Sequence, residues 1–463
     1  MKQIIIFFLI YFNAIICFCQ GELTLQMLKN CNQSSYTNPA FHTKHRISIG
    51  IPVLSSIYFG YGNSGFSFLD ALDTQKGKKT INLNKLVDAT QYSNLLYEGI
   101  NLEVFHLKVK WRNAFVGFYI SSKQYLYFSY PKDFLYLTTG NNVNTDYSGR
   151  RMDLSTLQLS FMHYNEYAFD YSRLTKWHNH TFTYGIRLKL LQGLSNIDFS
   201  PINLQMNSGD FDQQLKINQD LYIRSSGLYS FDKDSFKLYN FNSNYFSKFN
   251  NPGFAFDFGL VYPYKKFNFS LSVLNLGFIY WTNQISRIHV PAQTIVKGVD
   301  VIGLLNDNFQ VSSLSGAIAN QYKPKSEPEN GYLTWLTPQV YLTADYRIRK
   351  NIFAYSSIFV ESFRTVRTGL LIGTKIDLKR YLTVTPNISY RYRQFNFGFG
   401  FIVKPGPIQW YFASDNLFTT YYVDSTSDIL IPLPWESKVF NVRTGINFVI
   451  GTLRDNQKLI QSE

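Results

Sequence analysis

The chain has 463 residues, 17% of them aromatic (34 Tyr and 41 Phe), with a mean hydropathy of −0.14. The length exceeds an ordinary single soluble domain but suits one large barrel, the aromatic load is unlike that of a soluble enzyme, and the hydropathy excludes a bundle of membrane-spanning helices. A formal net charge of +14 fits nucleic acid, an anionic lipid surface or an anionic solute; an export leader and the lack of any basic tract beyond Lys76-Gly77-Lys78-Lys79 argue against nucleic acid.

Residues 1–19 read as a signal peptide. Lys2 supplies the positive start, Ile4 to Ile16 the apolar run, and Cys17-Phe18-Cys19 the cleavage pattern before Gln20. The run is too short to span a bilayer comfortably. Lipidation needs a small residue before the modified cysteine, where this chain has Ile16 or Phe18. Cleavage after Cys19 leaves Cys31 alone, so neither a disulfide nor a cysteine metal cluster is expected. Residues 20–45 are polar, lack strand-like alternation and contain Asn38-Pro39-Ala40. They read as a hatch that plugs or gates a lumen, its backbone groups pairing with inward polar side chains. Pro39 fixes a bend, and Asn38 is expected to cap it through nearby backbone. A disordered periplasmic tail is the alternative.

Residues 46–451 are expected to build the wall. Gly60-Tyr61-Gly62-Asn63-Ser64-Gly65 matches a dinucleotide fingerprint in letters, but no helix and no well-placed acid follow, so these glycines read as turn formers. A short helix is expected around Asn84 to Ala89. Between Leu102 and Trp111 the apolar positions change parity after Val104, as at a β-bulge. His178-Asn179-His180 reads as a turn and lacks the further ligand a metal site needs. Clean period-two runs follow: Phe254, Phe256, Phe258 and Leu260; Phe267, Phe269 and Leu271; Val340 to Ile348; Phe395 to Phe401; Phe440 to Ile450. Each is about long enough for a tilted strand to cross a bilayer, whereas sandwich strands usually have about five or six residues. The strand count falls at about thirteen to sixteen, and closure favours an even number. The fold class is therefore an all-β, transmembrane antiparallel barrel of about 14 strands. Pro201–Asn250 and Arg287–Trp335, the latter with a possible helix near Val301 to Asn306, read as extracellular loops. Residues 452–463 form a polar tail.

By parity Asp257, Asp345, Arg347, Arg349, Arg367, Arg391, Arg393 and Arg443 point inward, six positive against two negative. This is either a lumen biased toward anions or an Arg–acid ladder filling the barrel with satisfied polar groups. No HExxH, GxSxG or Walker pattern occurs, so no enzyme, metal or cofactor is expected. A catalytic Ser, His and acid in the wall would be spatial neighbours rather than a sequence motif.

Asn38-Pro39-Ala40 resembles the element that opens FadL-type barrels and their Bacteroidota relatives PorV and PorP/SprF. Gly50-Ile51-Pro52, Asn63-Ser64-Gly65-Phe66, Leu274 to Trp281, Ser414-Asp415-Asn416-Leu417 and Phe440 to Asn447 resemble more closely an uncharacterised Bacteroidota family regarded as outer-membrane barrels, over nearly the whole mature chain. The resemblance implies a barrel of about fourteen strands with an N-terminal lumen segment, set in outer-membrane lipid. The function it implies is a passive channel or hydrophobic-compound transporter, taking a hydrophobic or anionic small molecule. The alternative is a non-transporting accessory barrel docking proteins of a type IX secretion or gliding machinery. Many such barrels end on an aromatic residue; this chain ends on Gln461-Ser462-Glu463.

Overall fold

The computed structural model describes residues 21–453 except 68, 76–77, 82, 140–150, 179, 202–203, 209–213, 218–219, 228, 233–234, 239–249, 291–294, 298–324, 328, 364, 379–380, 418–420, 423–432 and 435–436. The leader, the proposed helix near Val301 to Asn306 and most of the polar tail lie outside the described residues.

Fourteen strands form one closed antiparallel barrel in which each pairs with its neighbours in sequence. They are β1 (His45–Gly50, resuming at Ser56–Asn63), β2 (Ser93–Trp111), β3 (Ala114–Pro131), β4 (Gln158–Trp177) and β5 (His180–Phe199). β6 (Asn251–Tyr264), β7 (Phe267–Trp281), β8 (Tyr332–Trp335 and Gln339–Arg349), β9 (Ile352–Phe363) and β10 (Thr365–Leu378) follow. β11 (Leu382–Val384 and Asn387–Arg391), β12 (Gln394–Val403), β13 (Ile408–Ser414) and β14 (Val439–Thr452) complete the wall. Closure comes from β14 pairing with both halves of β1, Ile47 opposite Ile450 and Ile57 opposite Thr444. No sheet edge is left open along this seam, the condition for placing strands in lipid.

Alternation decides which side each residue takes. Phe254, Phe269, Leu342, Ile372, Phe397 and Ile450 are exposed on the outer face, while Ala255, Asp257, Ser270, Thr343 and Asn447 between them are buried inside. Trp111, Trp177, Tyr264 and Tyr381 stand exposed near one end, and Tyr280 and Trp335 near the other, like the aromatic girdles that flank a lipid-facing band. At the first end the connections are short, and left-handed residues such as Arg112, His178 and Lys265 make the tight turns. At the other end lie the long connections. One holds the helix Leu83–Ala89, close to the expected span. The β5–β6 connection carries the strand Leu221–Ser226 and the β7–β8 connection the strands Ile285–Val290 and Lys325–Glu327, which together extend the sheet from the tip of β5.

Two irregularities shape the interior. In β2 the register against β3 shifts between Glu103 and Phe105, the expected bulge. It leaves Val104 exposed and turns both Glu103 and His106 inward. In β1, Ile51 to Ser55 leave the ladder; Ser55 N donates to Ile51 O (2.9 Å), and Val53 takes a positive φ of 64°.

Candidate functional site

Residues 21–43 lie inside the barrel. Their centre is a single helical turn, Leu23–Met27, all five residues buried. So short a helix is not stable alone; packing on both flanks orders it. Leu23 and Met27 pack with Leu274, Tyr341, Tyr355, Phe359 and Leu371, and Leu25 and Leu28 with Ile402, Tyr411 and Ala413. Burying each such side chain contributes about 1.5–3 kcal/mol. From the far wall Asp415 caps the turn, accepting from Leu23 N (3.2 Å) and Thr24 N (2.6 Å), and it pairs with Arg391 (2.8 Å).

Polar links reach the plug from every side. Glu22 meets Arg443 in a two-point ion pair, Nε–Oε1 2.5 Å and Nη2–Oε2 2.9 Å. Arg391 Nη1 donates to Gly21 O (2.8 Å), Ser357 to Gln26 (2.9 Å), and Lys29 pairs with Asp345. Gln33 exchanges hydrogen bonds with Asn447 (2.9 and 2.8 Å). Tyr36 donates its hydroxyl to Glu103 and lies under the guanidinium groups of Arg187 (5.1 Å) and Arg443 (5.3 Å). Burial, then the Glu103 charge, pushes the Tyr36 phenol well above its usual range, so it stays a donor. Burial likewise raises Cys31 and keeps it a thiol. Burial first, then Lys108, lowers His42 to about 3. Its Nε2 has no hydrogen-bond partner, so it sits neutral.

Asn38, Pro39 and Ala40 are buried in a slot made by two glycines that face each other across β5 and β6, Gly185 and Gly259. A Cβ on Gly185 would stand 2.3 Å from the Pro39 carbonyl carbon, and one on Gly259 2.1 Å from Asn38 Oδ1. Asn38 Oδ1 accepts from Ala40 N (2.8 Å) and closes the bend; its Nδ2 donates to Leu271 O of the wall (3.2 Å).

Of the eight expected inward charges, Asp257, Asp345, Arg367, Arg391 and Arg443 are buried and Arg347 is half-buried. Arg349 and Arg393 are exposed, a correction to the parity reading. A register shift between Arg347 and Arg349 breaks the alternation at the end of β8, and Arg393 sits in a tight turn at φ 58°. Parity also missed charges on the early strands, where tyrosines such as Tyr119 and Tyr164 share the inner face and blur the polar pattern. Among the described residues the fully buried acids of the wall are Glu103, Glu166, Asp170, Asp257, Asp345, Glu361 and Asp415. The buried bases are Lys108, Lys123, Arg187, Lys189, Arg367, Arg391 and Arg443. The formal charges cancel. They run in chains: Lys108 and Arg187 share Asp170 (3.2 and 3.1 Å), and Lys189 reaches from Glu166 (3.8 Å) to Asp257 (2.7 Å). The ladder reading holds for this region, and the anion-biased lumen loses its charge excess.

The β2 bulge creates one arrangement that looks catalytic. Ser48 Oγ lies 3.0 Å from His106 Nε2, and His106 Nδ1 lies 2.5 Å from Glu103 Oε1. The order is that of a nucleophile, base and orienting acid. All three are buried, Gln33 and Tyr36 of the plug bond to the acid, and the backbone on both sides of Ser48 is engaged in the strand ladder. Through Glu103 the cluster anchors Tyr36 and Gln33 of the plug.

Where the plug helix meets the wall, three glycines sit among the wall side chains Arg391, Asn387 and Thr385, which added Cβ atoms would meet first (3.0, 2.6 and 2.7 Å). Gly369, Gly373 and Gly400 face Leu23, Met27 and Thr24, with would-be Cβ distances of 3.7, 2.8 and 2.9 Å. Pro386, which has no N–H, interrupts β11 at the same height. On the outer face of this patch lies a hollow of ≈ 460 Å³ walled by Ile372, Ile388, Phe397 and Phe399.

The model of a family of unknown function, DUF5723, matches residues 39–415. No curated protein matches the sequence. Among solved structures, the Pseudomonas putida toluene transporter TodX is 8% identical, with 93% of this chain and 97% of that one covered and a TM-score of 0.40. A Pseudomonas aeruginosa FadL homologue is 10% identical over 94% and 100% of the two chains, TM-score 0.40. The translocator domain of the autotransporter NalP from Neisseria meningitidis is 5% identical over 90% and 92%, TM-score 0.31. Likenesses this distant carry no argument about what any of these proteins shares with this one in use.

Proposed function

We propose, for a chain that belongs to the DUF5723 family of unknown function, that it is an outer-membrane barrel whose N-terminal plug holds it shut and which passes small apolar compounds when the plug shifts. The apolar outer face and its aromatic ends support a lipid setting. The observation that carries the passage is the glycine patch in β10 and β12: an apolar hollow outside, glycines that let the plug helix approach the wall closely, and the plug helix directly behind. A movement of the plug helix would change what lies behind the hollow. The balanced interior charges favour a neutral solute over an anionic one. Deleting Leu23 to His42 tests this. The expected result is conductance steps in planar bilayers and faster entry of an apolar fluorophore into proteoliposomes. A deletion variant that still folds as a barrel, yet shows neither, rejects the reading.

One observation favours a second reading, a barrel that transports nothing and docks partners. Between the plug and the long-loop end, Leu95, Tyr97, Tyr127 and Phe363 pack together inside the barrel. On that reading the deletion changes neither conductance nor entry.

A further inference from the structure

At the short-turn end a second hollow, of ≈ 700 Å³, opens below the plug. The plug contributes Asn30 to its lining, and the wall with the residue leading into it contributes Lys44, His45, Asp377, Lys404 and Gln409. Its one lining carboxylate, Asp377, is already engaged, by Lys375 (3.5 Å) and by the Thr383 hydroxyl (2.7 Å). Lys404 is different. Its ammonium reaches only neutral groups, His45 Nδ1 (3.3 Å) and Thr452 Oγ1 (3.4 Å), and has no acidic partner among the described residues. Most buried bases of the wall meet an acid or, like Arg367, a backbone carbonyl (2.9 Å), whereas this ammonium faces a roomy polar hollow with neither. With Lys44 on the same hollow, two positive charges address one space. A compact dianion matches two ammonium groups better than a single charge does.

We propose that this hollow binds a phosphate-bearing group, held by Lys404 and Lys44. Asn30 belongs to the plug, whereas Lys44 leads into β1 with its carbonyl held by Leu453 N (2.7 Å), and from the wall Gln409 Nε2 already donates to Asn30 O across the gap (3.2 Å). A phosphate there bridges plug and wall and tightens the plugged state. The binding itself does not depend on whether the barrel transports anything.

The test uses the full chain in nanodiscs of phosphatidylcholine at constant ionic strength, titrated calorimetrically with inorganic phosphate and with glycerol 3-phosphate. Saturable one-site binding is expected, weakened about tenfold or more by Lys404→Gln and largely kept by Lys404→Arg. Both variants are checked for an intact barrel by the heat-dependent shift of the folded band on a gel. Absence of binding by the unaltered chain overturns the proposal. So does equal binding by Lys404→Gln, or a Lys404→Arg variant no better than Lys404→Gln. Repeating the titration with phosphatidylglycerol in the disc separates the sources. Binding lost to competition there assigns the site to a lipid headgroup, and unchanged binding assigns it to a free solute.

Discussion

Arg443 joins the last wall strand to the start of the plug, its own side chain buried and its partner Glu22 19% exposed. Removing one member of a buried pair typically costs about 3–5 kcal/mol, because the other charge is stranded. Arg443→Met is therefore expected to loosen the plug strongly, while the double variant with Glu22→Gln recovers most of the loss. Protease protection of residues 22–44, measured around the full mutant cycle, reads the coupling. Gly185 and Gly259 act by absence. Alanine at either position pushes into Pro39 or Asn38, an overpacking of about 1–3 kcal/mol that falls on plug docking more than on the wall. Protease sensitivity rising in Gly185→Ala with the folded gel band unchanged checks this; equal protection in both proteins contradicts it. At this scale the sequence was only partly legible. Asn38 and its bend followed from local chemistry, and so did the inward Arg391 and Arg443. The partners of those arginines, Asp415 and Glu22, lie on distant parts of the chain, and no spacing rule connects them.

The plug as an element answers to pH through His42. Its pKa in the docked state, about 3, lies below the ordinary 6.5, so the released chain binds a proton more readily than the docked one. Docking is thus favoured in full above pH 6.5 and weakens as pH falls from there toward 3. Lys108 and Lys110 oppose a charged His42, Asp170 supports one, and the Phe115 ring packs on it at 4.6 Å. Plug protection is expected to drop between pH 7 and pH 4.5, and His42→Asn is expected to flatten that drop. A variant with an unchanged pH profile assigns the effect to other groups. That the N-terminal residues stand apart from the wall was readable because they break the alternation that the wall strands keep. The β2 bulge was readable too, since a one-residue change of parity has a single geometric meaning in a strand. What the bulge accomplishes was not readable: Glu103 receives Gln33 and Tyr36 from 70 and 67 residues away along the chain, which no local pattern indicates.

At the scale of the whole molecule, inside and outside obey opposite rules. Phe256 points out of β6 into the apolar face, whereas Asn268 points in and donates to Asp345 (2.7 Å). Arginine at Phe256, if near the middle of the bilayer, is expected to cost about 2–4 kcal/mol, and arginine at Asn268 much less, since Asp345 can receive it. Urea unfolding from vesicles compares the two, and equal losses contradict these orientations. The barrel itself was legible because its lipid-side residues alternate so regularly. Its charge balance was not, because three of the seven buried acids, Glu103, Glu166 and Asp170, sit on the early strands, where tyrosines share the inner face. The distance along the chain between plug and seam has a consequence for assembly. Asn447 meets Gln33 across 414 residues, and Arg443 meets Glu22 across 421. The first part of the chain to be made thus has its binding site completed by the last. Until β14 zips onto β1, the plug has half a berth, and the same event that seals the wall latches the contents. The N-terminal segment is thereby expected to settle only once the last strand has joined the first.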